Sequence, residues 1–488
     1  MTAKVLFIGM DGADPGFVDA MIANGELPAF KRLRDQSAAH AITNDPGMGA
    51  AHFWTSASIG AGAGHHAHYF FMQFKPESYD VLPNHESSLP DITPFWNELD
   101  EEGYRVAVID WHRMHPKPLK NGILIDNWLG HDPLTETIYH PPSLADEAGK
   151  FFHGDPIAGG FESLEPSTPD EMADYLHHQL NRANAKAAMC TDQLESKDWD
   201  LFFVNFSEIH DIGHHYYHIE DETSALFDPD VAAKVKNPMR QCYRRLDGAI
   251  TQILEAAGPD ANIFFYGGPG METFVSANNA MEEIMRRIDL GVGAPLSVAE
   301  TAQKNYRSLI PKKLRRTLAP MARAVKRRVG KNDFASRRFF AIPHNDNAGG
   351  VRINVKGREK YGRIEPGTEY DAVIEEIERA VATFINPDTG KPIVKRVVRV
   401  HQENDGPHRA LLPDLYIEWD RDGAKRNLSR IVSDAYGEID VPPAVRTGDH
   451  NPLGFFWAPA DTAGQTITRP AHITTPVVDA VRAARNQI

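Results

Sequence analysis

The sequence predicts an α/β fold, a central and mostly parallel sheet covered by helices on both faces. Three observations carry that prediction. Short apolar runs recur at residues 5–10 (VLFIGM), 105–110 (RVAVID), 200–206 (DLFFVNF) and 262–266 (NIFFY). They are rich in β-branched and aromatic residues and do not alternate with polar ones, which marks strands buried on both faces. Longer amphipathic stretches at residues 17–24, 92–102, 169–194 and 238–257 lie between or beside them, as the crossovers of a parallel sheet require.

Taken in order, the strands end in informative places, and in parallel sheets function collects at carboxyl ends. The first ends in Met10-Asp11-Gly12, and the third opens SEIHDIGHHYYHIED at Ser207. The fourth ends in Tyr266-Gly267-Gly268-Pro269-Gly270-Met271. A stretch without strand signal follows, in which residues 304–331 hold eleven Lys or Arg and no acid. Strand-like pieces resume at 338–342 and 351–355, a helix fits 370–386, strands fit 394–400 and 414–419, and a last helix fits 475–485. The expected division is a core over 1–270, a basic helical insertion or cap over 271–336, and the rest of the core over 337–488.

Composition narrows the function. Hydrophobic residues are 42% and charged residues 24% of 488, ordinary for a globular chain. A formal charge of −15 argues against nucleic acid as the main partner, since phosphate backbones need a basic surface. Two cysteines, Cys190 and Cys242, exclude a disulfide framework and a cysteine zinc site. No run reaches the roughly 18 apolar residues of a membrane span. No long apolar segment follows the N-terminus, so no secretory signal is expected and the cytoplasm is the expected compartment. Nothing in the sequence bears on oligomeric state.

Four histidines, His210, His214, His215 and His218, fall within nine positions. In a helix, residues four apart share a face, so His210, His214 and His218 form one row and Asp211 and His215 the next. Two imidazoles on one face after a buried strand can chelate a transition metal. The alternative is a solvated helix start, with Glu208 and Asp211 favourable to the dipole. A metal needs a further ligand, and His450 in the Gly-flanked loop RTGDHNPLGFF is a candidate. His65, His66 and His68 form another cluster after IGAGAG, of which at most one is expected to reach the site.

These residues resemble the type I phosphodiesterase/nucleotide pyrophosphatase branch of the alkaline phosphatase superfamily. The opening VLFIGMDGADPGFVDAMIANGELPAFKRL is similar to the family's first strand and helix. FWTSASIGAGAGHHAH resembles a second family stretch, with Trp54, Gly60 and His66 in register. SEIHDIGHH, NIFFYGGPGM and RTGDHNPLGFF resemble its metal-binding segments, and INVKGREKYGRIEPG is similar to bacterial members. The resemblance implies an alkaline phosphatase-like α/β/α sandwich that hydrolyses phosphate esters or diesters. It also implies two zinc-like ions flanking a Thr or Ser nucleophile.

The sequence departs from that pattern. The nucleophile position falls on Ala50, after Gly49, and the Asp and His positions of the fourth strand's end are Gly268 and Pro269. Of the second metal's ligands only Asp11 remains. The first metal's positions hold His210, His214 and His450. The expected site is therefore mononuclear, with one divalent transition metal per chain, most simply zinc, held by those three histidines. Three neutral imidazoles leave the full charge on the ion, and a water in the open position would be acidified to about pKa 7. Asp11 and Glu208 are the candidates to orient or deprotonate that water. His66, His215 and Arg352 are candidates to touch a small, anionic substrate. Asp110, Trp111 and His112 follow a strand and either line the pocket or pack. The expected function is a metal-dependent hydrolase (or a lyase), with a conventional two-metal phosphodiesterase and a catalytically silent binding relative as alternatives.

Overall fold

The computed structural model describes residues 3–83, 89–111, 117–130, 136–158, 160–164, 166–222, 224, 226–292, 333–344, 347–424, 428–443 and 446–485. His112 and residues 293–332 of the expected cap, the basic run among them, lie outside these.

The described chain falls into two compact units. One comprises Met1–His68, Pro90–Phe274 and Val445–Ile488, the other Tyr69–Leu89 and Val275–Ala444. The first holds an eight-stranded sheet. Its strands are β1 (Ala3–Met10), β2 (Ala38–Thr43), β3 (Val106–Ile109), β4 (Ile123–Asp126), β5 (Ile138–His140), β6 (Trp199–Phe206), β7 (Asn262–Gly267) and β10 (Leu453–Ala458). A separate ribbon pairs β8 (Met271–Thr273) with β9 (Gly448–His450). Strand order in the sheet is β2-β10-β7-β1-β6-β3-β4-β5. The five from β7 to β4 run parallel, β10 and β5 run against them on either side, and β2 pairs antiparallel with β10 at the edge.

The apolar runs behave as their composition requires. Along β1, Leu6, Ile8 and Met10 face one core and Val5 and Phe7 the other. The first core is closed by α1 (Pro15–Ala23), α2 (Pro28–Gln36), α5 (Pro169–Ser196), α6 (Glu208–Tyr216) and α7 (Pro238–Ala257). The second is closed by α3 (Ala50–Ile59), α4 (Phe95–Glu101) and α8 (Thr474–Arg485). The predicted α/β architecture with a largely parallel sheet is borne out. Asp11 N–H donates to Phe206 O at 2.8 Å and Gly268 N–H to Met10 O at 3.1 Å, so the three informative strand ends lie side by side. The segment after His450 is more than a loop: GFFWA enters the sheet between β2 and β7, a run too short for periodicity to distinguish from a turn.

The second unit has a sheet of its own. Phe339–Ile342, Ala348–Ile353, Leu415–Trp419 and Val394–Arg399 form a separate antiparallel sheet in that order. With helix Thr368–Val381 it encloses its own cluster, including Ile353, Ile374, Ile377 and Trp419. The alternating burial of LYIEW is that of a sheet covered on one face, unlike the continuous runs of the first unit. Among the described residues no helix is long and apolar enough to cross a membrane.

Candidate metal centre

Helix α6 begins two residues after β6, so its first turns stand at the sheet's carboxyl edge. Its row of His210 and His214 faces the loops after β1 and β7. The third histidine arrives from 236 positions further on (450 − 214), where β8 holds β9 with Met271 opposite His450. Close backbone approach makes this possible. Gly12 has φ +79°, and a Cβ there would lie 2.6 Å from His210 Cα; a Cβ on Gly448 would lie 2.2 Å from Gly213 O. Any larger residue at either place would push a histidine-bearing segment away. Asn451 completes the brace, its Nδ2 donating to Asp14 Oδ2 at 2.8 Å.

His210, His214 and His450 are all buried, and each offers a ring nitrogen within 4.8 Å of the others. Their tautomers follow from their neighbours. His214 Nδ1 lies 2.9 Å from Gly448 O, and His450 Nδ1 lies 3.1 Å from Pro269 O and 3.3 Å from Gly270 O. A carbonyl only accepts, so both Nδ1 atoms carry the proton. His210 Nδ1 lies 2.8 Å from Asp11 Oδ2, which again calls for N–H there. Each ring, when neutral, is therefore left with a lone pair on Nε2. His210 Nε2 and His214 Nε2 stand 3.0 Å apart, and His450 Nε2 is buried without a hydrogen-bond partner.

Protonation does not relieve this arrangement easily. Burial holds His214 well below the ordinary imidazole range, aided by the Arg446 charge and the two neighbouring rings. Burial likewise pushes His450 down to about 4, against an opposing pull from Asp11. Three converging ring nitrogens fit a cation, and three imidazoles suit a transition metal. The partners on the Nδ1 atoms are those that orient metal-ligating histidines. Asp11 Oδ1 accepts from Trp54 Nε1 at 2.9 Å, while Oδ2 makes the 2.8 Å ion-pair contact with His210 Nδ1.

The comparisons with known proteins agree with the fold. The family model for type I phosphodiesterase / nucleotide pyrophosphatase matches residues 5–425. The chain belongs to this family. A phosphonoacetate hydrolase from Sinorhizobium meliloti 1021, in complex with phosphonoformate, is 12% identical with TM-score 0.51, covering 99% of this chain and 96% of that one. At that identity the likeness is one of fold. Murine ectonucleotide pyrophosphatase / phosphodiesterase 5, an inactive form with AMP, is 11% identical over 98% of this chain and 95% of its own, with TM-score 0.47. No curated protein sequence matches the chain.

Against the phosphodiesterase family pattern, the remaining expected residues sort clearly. Ala50 opens α3 with Gly49 at its N-cap. The hydroxyls further along that helix, on Thr55, Ser56 and Ser58, are all fully buried. Glu208 lies two residues before His210, about 200° around the helix at 100° per residue. Its carboxylate faces Lys186 of α5, 3.7 Å away, beside Asp110, whose Oδ2 is 2.8 Å from that lysine. Glu208 thus faces Lys186 in the helix layer. His215 is turned the same way, stacked on Phe161 at 3.9 Å between centroids. Asp211 beside it is bonded by Tyr175 and Gln179. His66 is fully buried with Nε2 2.9 Å from Ser56 Oγ, in a network of its own. Arg352 is fully buried within the second unit. There it bonds Glu359 and the Leu412 and Ala410 carbonyls. Trp111 packs between Trp96 and Phe203, with centroids 4.6 and 4.4 Å away.

Two contributors escaped the sequence reading. Trp54 was noted only for its register, yet it donates to Asp11. Arg446, four residues before His450, brings Nη1 to 3.4 Å from His214 Nε2. The only available signal was its place in RTGDH, and a lone arginine in a loop is usually solvated.

Proposed function

We propose that the chain is a metal-dependent hydrolase of phosphate- or phosphonate-bearing anions with a mononuclear three-histidine centre. The observation that carries this reading is the convergence of three Nε2 lone pairs, each ring held by an acceptor at Nδ1. When bound, a divalent ion such as zinc supplies Lewis acidity and a water whose pKa falls to about 7. His210, His214 and His450 would hold that ion. Asp11 and the carbonyls of Gly448, Pro269 and Gly270 fix the tautomer and aim of each ring, and Asp11 raises the basicity of His210.

Direct use of water is supported by what the chain lacks at the nucleophile position. Ala50 has no hydroxyl, and Ser56 Oγ is enclosed by His52 Nε2 at 2.8 Å and His66 Nε2 at 2.9 Å. Two features weigh against a conventional two-metal centre. Asp11 Oδ1 is taken by Trp54 Nε1, and Gly268 and Pro269 offer no side-chain ligand. The phosphonate substrate class follows by analogy from the bound phosphonoformate of the structural neighbour, which is a likeness of fold.

Elemental analysis of the purified protein and of His214→Ala tests the centre. One ion per chain in the parent and little in the variant is the expected result. Two ions, none, or full retention by the variant would overturn it.

A further inference from the structure

The carboxylate of Asp11 stands where the two helical layers of the first unit meet at the sheet's carboxyl edge. His210 reaches it from α6, in the layer that packs on Leu6, Ile8 and Met10. Trp54 reaches it from α3, in the layer that packs on Val5 and Phe7. The backbone of Asp11 is held between them, its N–H donating to Phe206 O at 2.8 Å. An indole N–H only donates, so the 2.9 Å contact makes Trp54 Nε1 the donor and Asp11 Oδ1 the acceptor. The other oxygen, Oδ2, lies 2.8 Å from His210 Nδ1. One line of contacts therefore runs from α3, across the end of β1, to a ring of the histidine cluster.

The indole has little room to turn. Trp54 is fully buried. Its six-membered ring lies over β1, where a Cβ on Gly9 would come within 3.1 Å of Cη2. Trp111 and Tyr266 meet it edge to face, at 5.5 and 5.1 Å between centroids. Tyr266 is fixed in turn by its hydroxyl, which donates to Phe53 O at 3.0 Å. A carboxylate turns readily about its last torsion. A donor held rigidly at Oδ1 sets the plane in which Oδ2 meets His210.

We propose that Trp54 is a positioning residue of the three-histidine centre, its N–H holding the Asp11 carboxylate in the plane that aims His210. The inference rests on the three-histidine reading. It extends the centre to a residue on the opposite face of the sheet that offers no ligand atom.

Zinc affinity, measured by chelator competition, tests this in the parent, Trp54→Phe, Asp11→Ala and the double variant. Trp54→Phe keeps a ring in the aromatic cluster and loses the donor. It should bind zinc about tenfold more weakly, the low end of the effect of an outer partner. In the Asp11→Ala background the same substitution should change affinity by less than about twofold, because residues that act through one contact are not additive. Equal losses in both backgrounds would make Trp54 a packing residue and overturn the proposal, as would unchanged affinity in Trp54→Phe. Should either single variant fail to fold, benzothienylalanine at position 54 keeps the shape of the fused ring and lacks the N–H. The same weakening there supports the proposal, and parental affinity overturns it. A parent that binds no zinc removes the three-histidine reading and this proposal with it, whereas a zinc-binding parent indifferent to position 54 removes the proposal alone.

Discussion

Two histidine-rich stretches of the first unit end as two different kinds of site. In α6 and β9, ring nitrogens of His210, His214 and His450 converge, and His450 Nε2 is left without a hydrogen-bond partner. Around α3, His52 and His66 are equally buried, but their nitrogens are matched to partners. Asn44 Nδ2 donates to Met48 O and Gly49 O, so its Oδ1 accepts from His52 Nδ1 at 2.7 Å. His52 Nε2 meets Ser56 Oγ at 2.8 Å and Asp45 Oδ2 at 3.0 Å. His66 Nδ1 accepts from His68 N–H at 3.0 Å, which puts its proton on Nε2, facing Ser56 Oγ. Each of these ring nitrogens has a partner within the chain. The difference teaches that histidine density does not distinguish a ligand set from a polar core. What distinguishes them is whether the donor and acceptor roles close.

The largest effect that could break this comparison is on ion binding. His450→Ala removes a converging nitrogen and should weaken ion affinity beyond the roughly 100-fold ceiling of an outer partner, while His66→Gln should leave it unchanged. Chelator competition on both variants measures this, and equal losses would erase the distinction between the networks.

Asp11→Asn tests the step between them. It keeps the size and an acceptor for His210 but removes the charge, so the ion should stay while its affinity or turnover falls about 10–100-fold. A fall in ion count from two to one would instead make Asp11 a ligand of a second ion.

Ser56→Ala addresses the closed network alone. It strips the shared partner from two buried rings and should cost about 1–3 kcal/mol of stability, read by denaturant unfolding, with ion content and turnover unchanged. Mass spectrometry after a rapid quench with an aryl phosphodiester should find no adduct on Thr55, Ser56 or Ser58. A labelled hydroxyl there would restore the covalent route.

The smallest effect is a slope. Burial holds His66 well below the ordinary imidazole range, so the unfolded chain takes up a proton that the folded one refuses. Stability from this group is full above about pH 6.5 and is lost as pH falls towards its depressed folded value. His66→Gln should flatten the ion-free protein's stability curve below pH 6.5 by at most about 1.4 kcal/mol per pH unit. An unchanged slope would mean that His66 titrates normally and that its network is open to solvent.

Much of the centre was legible in the chain. Continuous apolar runs marked the parallel strands, because a strand covered on both faces has no polar side to show. The position of Asp11 at a strand end, the four-residue spacing of His210 and His214, and the aligned His450 pointed to one crevice. Histidine spacing left a second register open, Asp211 with His215, since both pairs are four apart. Only the tertiary structure chose between them: α5 covers one side of α6, where Tyr175 and Gln179 take Asp211 and Phe161 takes His215. The same rotation removed Glu208 from the centre. Arg352 was legible as a charge but not as a saturated one, because its acceptors are carbonyls at 410 and 412 and a carboxylate at 359. Backbone carbonyls also fix the tautomers of His214 and His450. A carbonyl is common to every residue type and leaves no mark in the sequence, so how the rings of His214 and His450 are held was decided by where the folded backbone points its oxygens.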